Sequence, residues 1–146
     1  MNQCAVDGTR RIDPSLITGL SMLASCQRFV RVVSDKHWIQ ITEARAIIPS
    51  EESWPPYDAG EAVFLYPPDV PRRFLLSRAE EICESGWGPA HILSIEIPRS
   101  LCHRLQRDRS FWRYDKASAF LGTIAEKDGC SIARIETIPC SDRFGA

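Results

Sequence analysis

The chain has 146 residues and a formal net charge of −1. That length fits one domain with a core of its own. The near-neutral charge excludes a protein that coats nucleic acids or other polyanions without specificity, because such proteins depend on excess positive charge. No stretch approaches the roughly 20 consecutive apolar residues that cross a bilayer, so we expect no membrane contact.

The N-terminal residues 1–12 are polar and lack the apolar run that secretory signals contain. We therefore expect a loose leader on a single domain of residues 1–146, folded in a reducing compartment and located in the cytoplasm. The six cysteines include no Cys-x-x-Cys pair, so the pattern predicts free thiols and no metal site.

The first half of the chain predicts short elements in quick succession. An Asp-Pro pair followed by apolar residues at helical spacing predicts a helix over residues 14–27. Two runs of β-type residues predict strands at 29–33 and 37–42, the second of which begins with a histidine. A short turn of helix at 43–48 and a polar, proline-interrupted loop at 49–61 follow.

The second half adds strands and two more helices. Ser77 and Glu80 form a capping box before a helix that Gly86 ends, and Asp128-Gly129 is a hairpin signal. The predicted elements are a strand at 62–66, a helix at 78–85, a strand at 91–97, a helix at 99–106 and a hairpin of 119–126 with 130–138. Because strands and helices do not alternate regularly, we expect an α+β domain with a mixed or antiparallel sheet of about five or six short strands and two or three helices.

Two stretches carry a family pattern: KHWIQITEARAIIPSEESWPPYDAGEAVFLYPPDVP at 36–71 and HILSIEIPRSLC at 91–102. The first contains, in order, a histidine strand, an Ile-Ile-Pro-Ser segment, a polar loop with glycine and a strand ending in tyrosine. Over residues 35–102 the chain resembles the small ADP-ribosyltransferase-like domains of bacterial toxin and phage type. The resemblance implies an ADP-ribosyltransferase-like fold, NAD as substrate and transfer of ADP-ribose to an unidentified protein or nucleic acid.

The resemblance also implies roles for individual residues. In the family a histidine binds the ribose hydroxyls, a tyrosine stacks on nicotinamide and a late carboxylate binds a ribose hydroxyl; by position these are His37, Tyr66 and Glu136. Glu96 and Asp115 are the alternatives for the acid. Such groups suit the reaction because positive charge develops on the ribose as the bond to nicotinamide breaks.

A basic and aromatic block occupies residues 99–114 (RSLCHRLQRDRSFWRY). Interleaved cations and rings suit phosphates and stacked bases, so Arg104, with Thr42 near the histidine, is a candidate for binding NAD. The block also supports an alternative function, a non-enzymatic module that binds a protein or nucleic-acid partner. It equally fits a purely structural interpretation, in which the arginines lie on a solvent-exposed face and the aromatic residues at its end anchor the segment in the core. The loop 49–61 is a candidate lid, and Cys102 a candidate reactive thiol.

Overall fold

Eight strands and two α-helices make up the described part of the chain, which in the computed structural model comprises residues 26–49, 62–108 and 114–140. In chain order they are β1 (Cys26–Ser34), α1 (Asp35–Ala44), β2 (Ala46–Ile47), β3 (Ala62–Leu65), α2 (Arg72–Glu84), β4 (Ala90–Pro98), β5 (Leu105–Arg107), β6 (Ser118–Leu121), β7 (Ile124–Ala125) and β8 (Ser131–Ile138). Two 3-10 helices, Arg99–Arg104 and Glu126–Asp128, precede β5 and β8. The predicted α+β class is confirmed.

The strands form three antiparallel sheets instead of one. In the first, which we name the central sheet, β4 lies between β1 and β8; in the second sheet β6 lies between β3 and β5, and β2 pairs with β7. A bridge between Val30 and Tyr66, with N···O distances of 2.8 and 2.9 Å, joins β1 to the residue after β3. The central and second sheets therefore meet along β1.

Alternate residues of the central sheet face two separate apolar clusters. On one side Val33 and Leu93 pack with Ile41 of α1, and we name this side the α1 face. On the other side, the α2 face, Val32 and Ile92 pack with the apolar stripe of α2. That stripe consists of Leu75, Ala79 and Ile82. Burial of a branched aliphatic side chain such as that of Ile82 contributes about 1.5–3 kcal/mol to folding.

The segment predicted as a strand at 37–42 lies inside α1, so that prediction is wrong. Ser34 caps the helix, because its side chain accepts a hydrogen bond of 3.1 Å from the His37 N–H. Asp35 in the first turn adds a negative charge at the positive end of the helix dipole. The β-branched residues around Ile41 favour a strand locally, but the Ser34 cap and the burial of one side of the segment stabilise the helix.

The end of α1 contradicts the helical turn predicted at 43–48. Arg45 takes a left-handed conformation with φ of 54°, and its N–H donates to the Ile41 carbonyl at 2.7 Å. The chain then reverses into β2, whose residues pair with β7.

The second helix begins earlier than predicted but ends where expected. α2 starts at Arg72, directly after a proline, so the capping box predicted at Ser77 is wrong because Ser77 lies inside the helix. The helix ends at Glu84, and Gly86 follows with φ of 80°, which confirms the predicted stop. Neither α1 nor α2, the α-helices of the described residues, is long and apolar enough to cross a membrane.

The hairpin predicted for 119–126 and 130–138 is wrong in its pairing. The turn itself is present, since Gly129 has φ of 98°, but β8 pairs with β4, β7 with β2, and β6 with β3 and β5. Partners distant in the sequence therefore replace the local one. The helix predicted at 99–106 is a 3-10 helix as far as Arg104 and continues as β5.

The three remaining strand predictions, at 29–33, 62–66 and 91–97, are confirmed by β1, by β3 with its following bridge, and by β4. Most of the helix predicted at 14–27 lies outside the described residues, and its last two residues belong to β1. The predicted leader and residues 50–61 of the predicted loop also lie outside them.

The cysteines contradict the prediction of free thiols. Cys83 in α2 is disulfide-bonded to Cys140, with 5.6 Å between their Cα atoms, and Cys26 is disulfide-bonded as well. Among the described residues, Cys102 and Cys130 are free. Spacing could not reveal the bridge, because 57 residues separate its two cysteines and only the fold brings them together.

Candidate functional site

The residues predicted to bind NAD are divided between the two faces of the central sheet. His37 and Thr42 lie on α1, which packs on the α1 face. Tyr66 is 8% exposed and packs in the cluster of the α2 face. Glu136 pairs with Ile92 in the β4–β8 ladder and so also lies on the α2 face. The expectation that these side chains form one cleft is therefore wrong, since the central sheet separates them.

The candidate carboxylates have other partners. Both oxygens of Glu136 accept hydrogen bonds from the Arg72 guanidinium, at 2.8 and 2.6 Å, and this contact lowers the pKa of the Glu136 carboxyl. Glu96 accepts a hydrogen bond of 2.9 Å from Arg28, and Asp115 lies in an exposed turn. Glu136 is thus held as a surface ion pair that links α2 to β8.

The basic and aromatic block is split between core and surface. Tyr114 packs against Phe74 and Tyr66, with ring centroids 4.8 and 6.2 Å apart, as the core-anchor interpretation predicts. Arg104 is exposed, and its guanidinium carbon lies 6.0 Å from the centroid of the Phe120 ring. Residues 109–113 lie outside the described part of the chain. Arg104 is therefore placed beside the second sheet and not with Thr42.

A surface cleft of about 340 Å³ lies beside α1, and we name it the Trp38 cleft. Its lining residues are Trp38, Ile41, Thr42, Arg45, Glu126 and Ile132. Of the residues predicted to bind NAD, Thr42 is the one that lines it. The cleft combines an apolar floor with an indole, a hydroxyl, a guanidinium and a carboxylate, and it is open to solvent, since Thr42, Arg45 and Glu126 are exposed.

Local backbone structure explains why these groups meet. Ile41 and Thr42 lie three and four residues after Trp38, and the C-cap Arg45 lies three residues after Thr42, which places these side chains along one side of α1 and its end. The Glu126 N–H donates to the Arg45 carbonyl at 3.1 Å, so the 3-10 helix after β7 closes the end of the cleft. Ile132 of β8 supplies the opposite wall.

Trp38 also contacts groups outside the cleft. The Arg134 guanidinium carbon lies 5.5 Å from its ring centroid, within the range of a cation–π interaction. On β4, the His91 ring lies 6.1 Å from Trp38 between centroids, at an interplanar angle of 37°. The indole thus stands between the cleft and a second polar group.

His91 is the centre of a hydrogen-bonded chain of three side chains. Its Nε2 lies 2.7 Å from Asp35 Oδ1 and its Nδ1 lies 3.1 Å from Thr137 Oγ1. His91 is 3% exposed, whereas Asp35 and Thr137 reach the surface. No local pattern predicts this group, because 56 and 46 residues separate the partners; the signal present in the sequence is the inward position of a histidine within an apolar strand.

The two free thiols are unsuited to nucleophilic chemistry. Burial raises the pKa of the Cys130 thiol to about 11, and burial also raises the pKa of Cys102, although Arg99 opposes the change. Cys102 donates to the Pro98 carbonyl at 3.5 Å. Both thiols pack against the cluster of the α1 face and act there as small apolar side chains.

The described residues contain no group of three or more His, Cys, Asp or Glu side chains that could hold a metal ion. Comparison with known protein families, with curated proteins and with solved structures finds no match to this chain. The Trp38 cleft, the His91 group and the sequence pattern are therefore the features that bear on function.

Proposed function

We propose that the domain binds NAD in the Trp38 cleft and transfers ADP-ribose to a macromolecular acceptor. The observation that carries the proposal is the combination of an indole, a hydroxyl, a guanidinium and a carboxylate around one cleft. The resemblance of residues 35–102 to small ADP-ribosyltransferase-like domains supports the choice of NAD among nucleotides. In this proposal Trp38 and Glu126 take the roles that the resemblance assigns to Tyr66 and Glu136.

Each lining group has a physical role toward a dinucleotide. A ring stacked on Trp38 gains about 1–3 kcal/mol, the usual range for a base on an aromatic side chain. The Arg45 guanidinium suits two pyrophosphate oxygens, because its planar fork donates two parallel hydrogen bonds. The Thr42 hydroxyl donates to the Ile39 carbonyl at 2.7 Å, which leaves its oxygen to accept a ribose O–H. The cleft volume of about 340 Å³ fits one half of the dinucleotide, and in this proposal the other half lies on the protein surface.

The transfer breaks the bond between C1′ of the ribose and the nicotinamide nitrogen and forms a bond from C1′ to an oxygen or nitrogen of the acceptor. The bonding electron pair leaves with nicotinamide, and the proton of the acceptor group passes to solvent. Positive charge develops on the ribose meanwhile. The carboxylate of Glu126 stabilises that charge, since among the described residues it is the anion that lines the cleft.

We also propose that the domain works in an oxidising compartment in place of the expected cytoplasm. The Cys83–Cys140 disulfide and the bonded state of Cys26 support this, because such bridges persist in oxidising environments and are rare among cytosolic proteins. The transferase would then act after export or after delivery into another compartment.

Incubation of the protein with NAD labelled in the adenylate and with a cell lysate tests the transfer. We expect label on a macromolecule, at least tenfold less with Glu126→Gln or Arg45→Ala, and unchanged label with the matched control Glu84→Gln, an exposed residue of α2. If the wild-type protein yields no labelled product, the transferase proposal is wrong. Loss of label in Glu136→Gln but not in Glu126→Gln would move the site to the α2 face.

A second candidate function rests on the exposed cations at the start of the basic block. Arg99 and Arg104 are exposed at the two ends of one 3-10 helix, and such a cationic strip suits an acidic protein or nucleic acid. In this alternative the domain is a non-enzymatic interaction module. The test is capture of a host partner by the wild type and by the double variant Arg99→Glu/Arg104→Glu. Capture that is lost in the double variant and weakened by salt supports this alternative. Capture that survives the charge reversal contradicts it.

A further inference from the structure

The Asp35 carboxylate and the Thr137 hydroxyl contact the two ring nitrogens of His91, and a neutral imidazole between them has one donor and one acceptor nitrogen. An ionised carboxylate only accepts hydrogen bonds, so His91 Nε2 carries the proton that points to Asp35, 2.7 Å away. In a neutral imidazole Nδ1 is then an acceptor, and it receives the Thr137 hydroxyl at 3.1 Å. A hydroxyl is thus hydrogen-bonded to a base that a carboxylate orients.

The fold holds this order with little freedom. His91 and Thr137 are direct partners in the β4–β8 ladder, and Asp35 is the first residue of α1, fixed by the Ser34 cap. The imidazole is buried against Trp38, whereas Thr137 is exposed. The base is therefore positioned inside the domain and the hydroxyl is accessible from outside.

We propose that Thr137, His91 and Asp35 form a hydroxyl–imidazole–carboxylate triad that transfers acyl groups from small esters. Thr137 is the nucleophile, His91 the general base and Asp35 the positioning residue, an arrangement defined by the order of contacts and not by the fold. The three triad side chains are not among those that line the Trp38 cleft, so loss of ester hydrolysis and loss of NAD binding can be measured separately, although both substrates would contact the Trp38 indole.

The reaction balances with water as the second substrate. Thr137 Oγ1 bonds to the carbonyl carbon of the ester while its proton moves to His91 Nδ1. The bond from that carbon to the alkoxy oxygen then breaks, and the leaving alcohol takes the proton. Water attacks the acyl-threonine next, its proton passes through Nδ1 to Thr137 Oγ1, and the carboxylic acid leaves.

The surroundings favour an ester with an apolar or aromatic acyl group. Ile132 and Arg134 face the same side of β8 as Thr137, as their partners in β4 show, and Arg134 lies over Trp38. An acyl chain can therefore lie across the indole toward the Trp38 cleft. The Arg134 guanidinium is a cation on the same side of β8 as Thr137, and in this proposal it stabilises the oxyanion of the tetrahedral intermediate.

Two probes test the triad on the intact protein: hydrolysis of p-nitrophenyl acetate, and covalent labelling by an alkyl fluorophosphonate located by peptide mass spectrometry. We expect label on Thr137, its loss in Thr137→Val, and a fall of at least about 100-fold in kcat/KM, the usual contribution of such a base and nucleophile. Thr137→Ser restores labelling, and Ser131→Ala on the same strand is the matched control and stays labelled.

Because His91 is buried, His91→Ala can unfold the domain, so Asp35→Asn supplies the second test. Its melting temperature is measured beside its kinetics. We expect a lower kcat, a nearly unchanged KM and an altered dependence of kcat on pH in a protein that remains folded. Equal labelling of Thr137→Val and the wild type, or a wild type that neither takes up the probe nor hydrolyses the ester, would overturn the proposal.

Discussion

Arg72 and Glu136 are joined by two parallel hydrogen bonds, with nitrogen–oxygen distances of 2.8 and 2.6 Å, which tie the first residue of α2 to β8. The pair lies at the surface, where 57% of the Arg72 side chain and 38% of the Glu136 side chain are exposed. Its place on the α2 face is the reason why the late carboxylate of the sequence pattern cannot act together with residues of α1.

The Arg72–Glu136 pair predicts a pH dependence of stability. The contact lowers the folded-state pKa of Glu136 below its ordinary value of 4.5, so its contribution is present above pH 4.5 and is lost as the pH falls through the lowered value. Thermal melts from pH 7 to pH 3 should therefore show the wild type and Glu136→Gln converging on acidification. The difference should shrink in high salt, because the pair is exposed. A difference that grows on acidification contradicts this account.

The capping role of Ser34 predicts a site-specific loss of stability. Ser34→Ala removes the acceptor of the His37 N–H and should lower the free energy of unfolding by about 1 kcal/mol, whereas Ser34→Asp should retain most of it. Ser77→Ala is the matched control: the sequence favours a cap there, but the structure places it exposed inside α2. Urea unfolding measures both, and a larger loss at Ser77 would restore the predicted helix start.

The disulfide predicts an interaction with its neighbouring glycine. A Cβ added at Gly88 would collide with both sulfurs and lie 2.7 Å from that of Cys83, so Gly88→Ala should be strongly destabilising while the Cys83–Cys140 bridge is present. Replacing both cysteines by alanine should cost about 4 kcal/mol, the chain-entropy value for a loop of this length.

A double-mutant cycle tests the origin of the Gly88 effect, with unfolding free energies measured by urea titration. The penalty of Gly88→Ala should shrink in the background where both cysteines are alanine, because the sulfurs are then absent. An equal penalty in both backgrounds would show that the sulfurs are not its cause.

The free thiols should differ in their reactivity. Cys130 is 5% exposed and its pKa is raised to about 11, so little thiolate exists near pH 8, whereas Cys102 is partly exposed. Iodoacetamide should therefore modify Cys102 first and Cys130 only after unfolding, as read by peptide mass spectrometry. Faster modification of Cys130 would contradict the packing described here.

The sequence predicted elements well where local signals and tertiary packing agree. The apolar run that forms β4 is buried on both faces, so its strand is evident from composition alone. In the segment containing Ile39 and Ile41 the β-branched residues favour a strand locally, whereas the Ser34 cap and the burial of Ile41 make it a helix. Intrinsic propensity contributes little to the free energy of this segment, and packing outweighs it.

The candidate site was less predictable, because long-range pairing creates it. The sequence singles out Thr42, but two of the residues that line the cleft with it, Glu126 and Ile132, come from other parts of the chain. The turn at Gly129 was correctly placed, yet β8 pairs with β4 and not with the preceding strand. No local pattern encodes that choice, which also brings His91 beside Thr137.

Calorimetric titration of the wild-type protein with NAD measures whether the Trp38 cleft binds this nucleotide. We expect saturable binding at or below millimolar NAD. We also expect at least about tenfold weaker binding for Trp38→Leu, which keeps an apolar side chain against the core cluster but removes a stacking surface worth about 1–3 kcal/mol. Equal affinity in Trp38→Leu, or no saturable binding by the wild type at millimolar NAD, would show that NAD does not bind in this cleft.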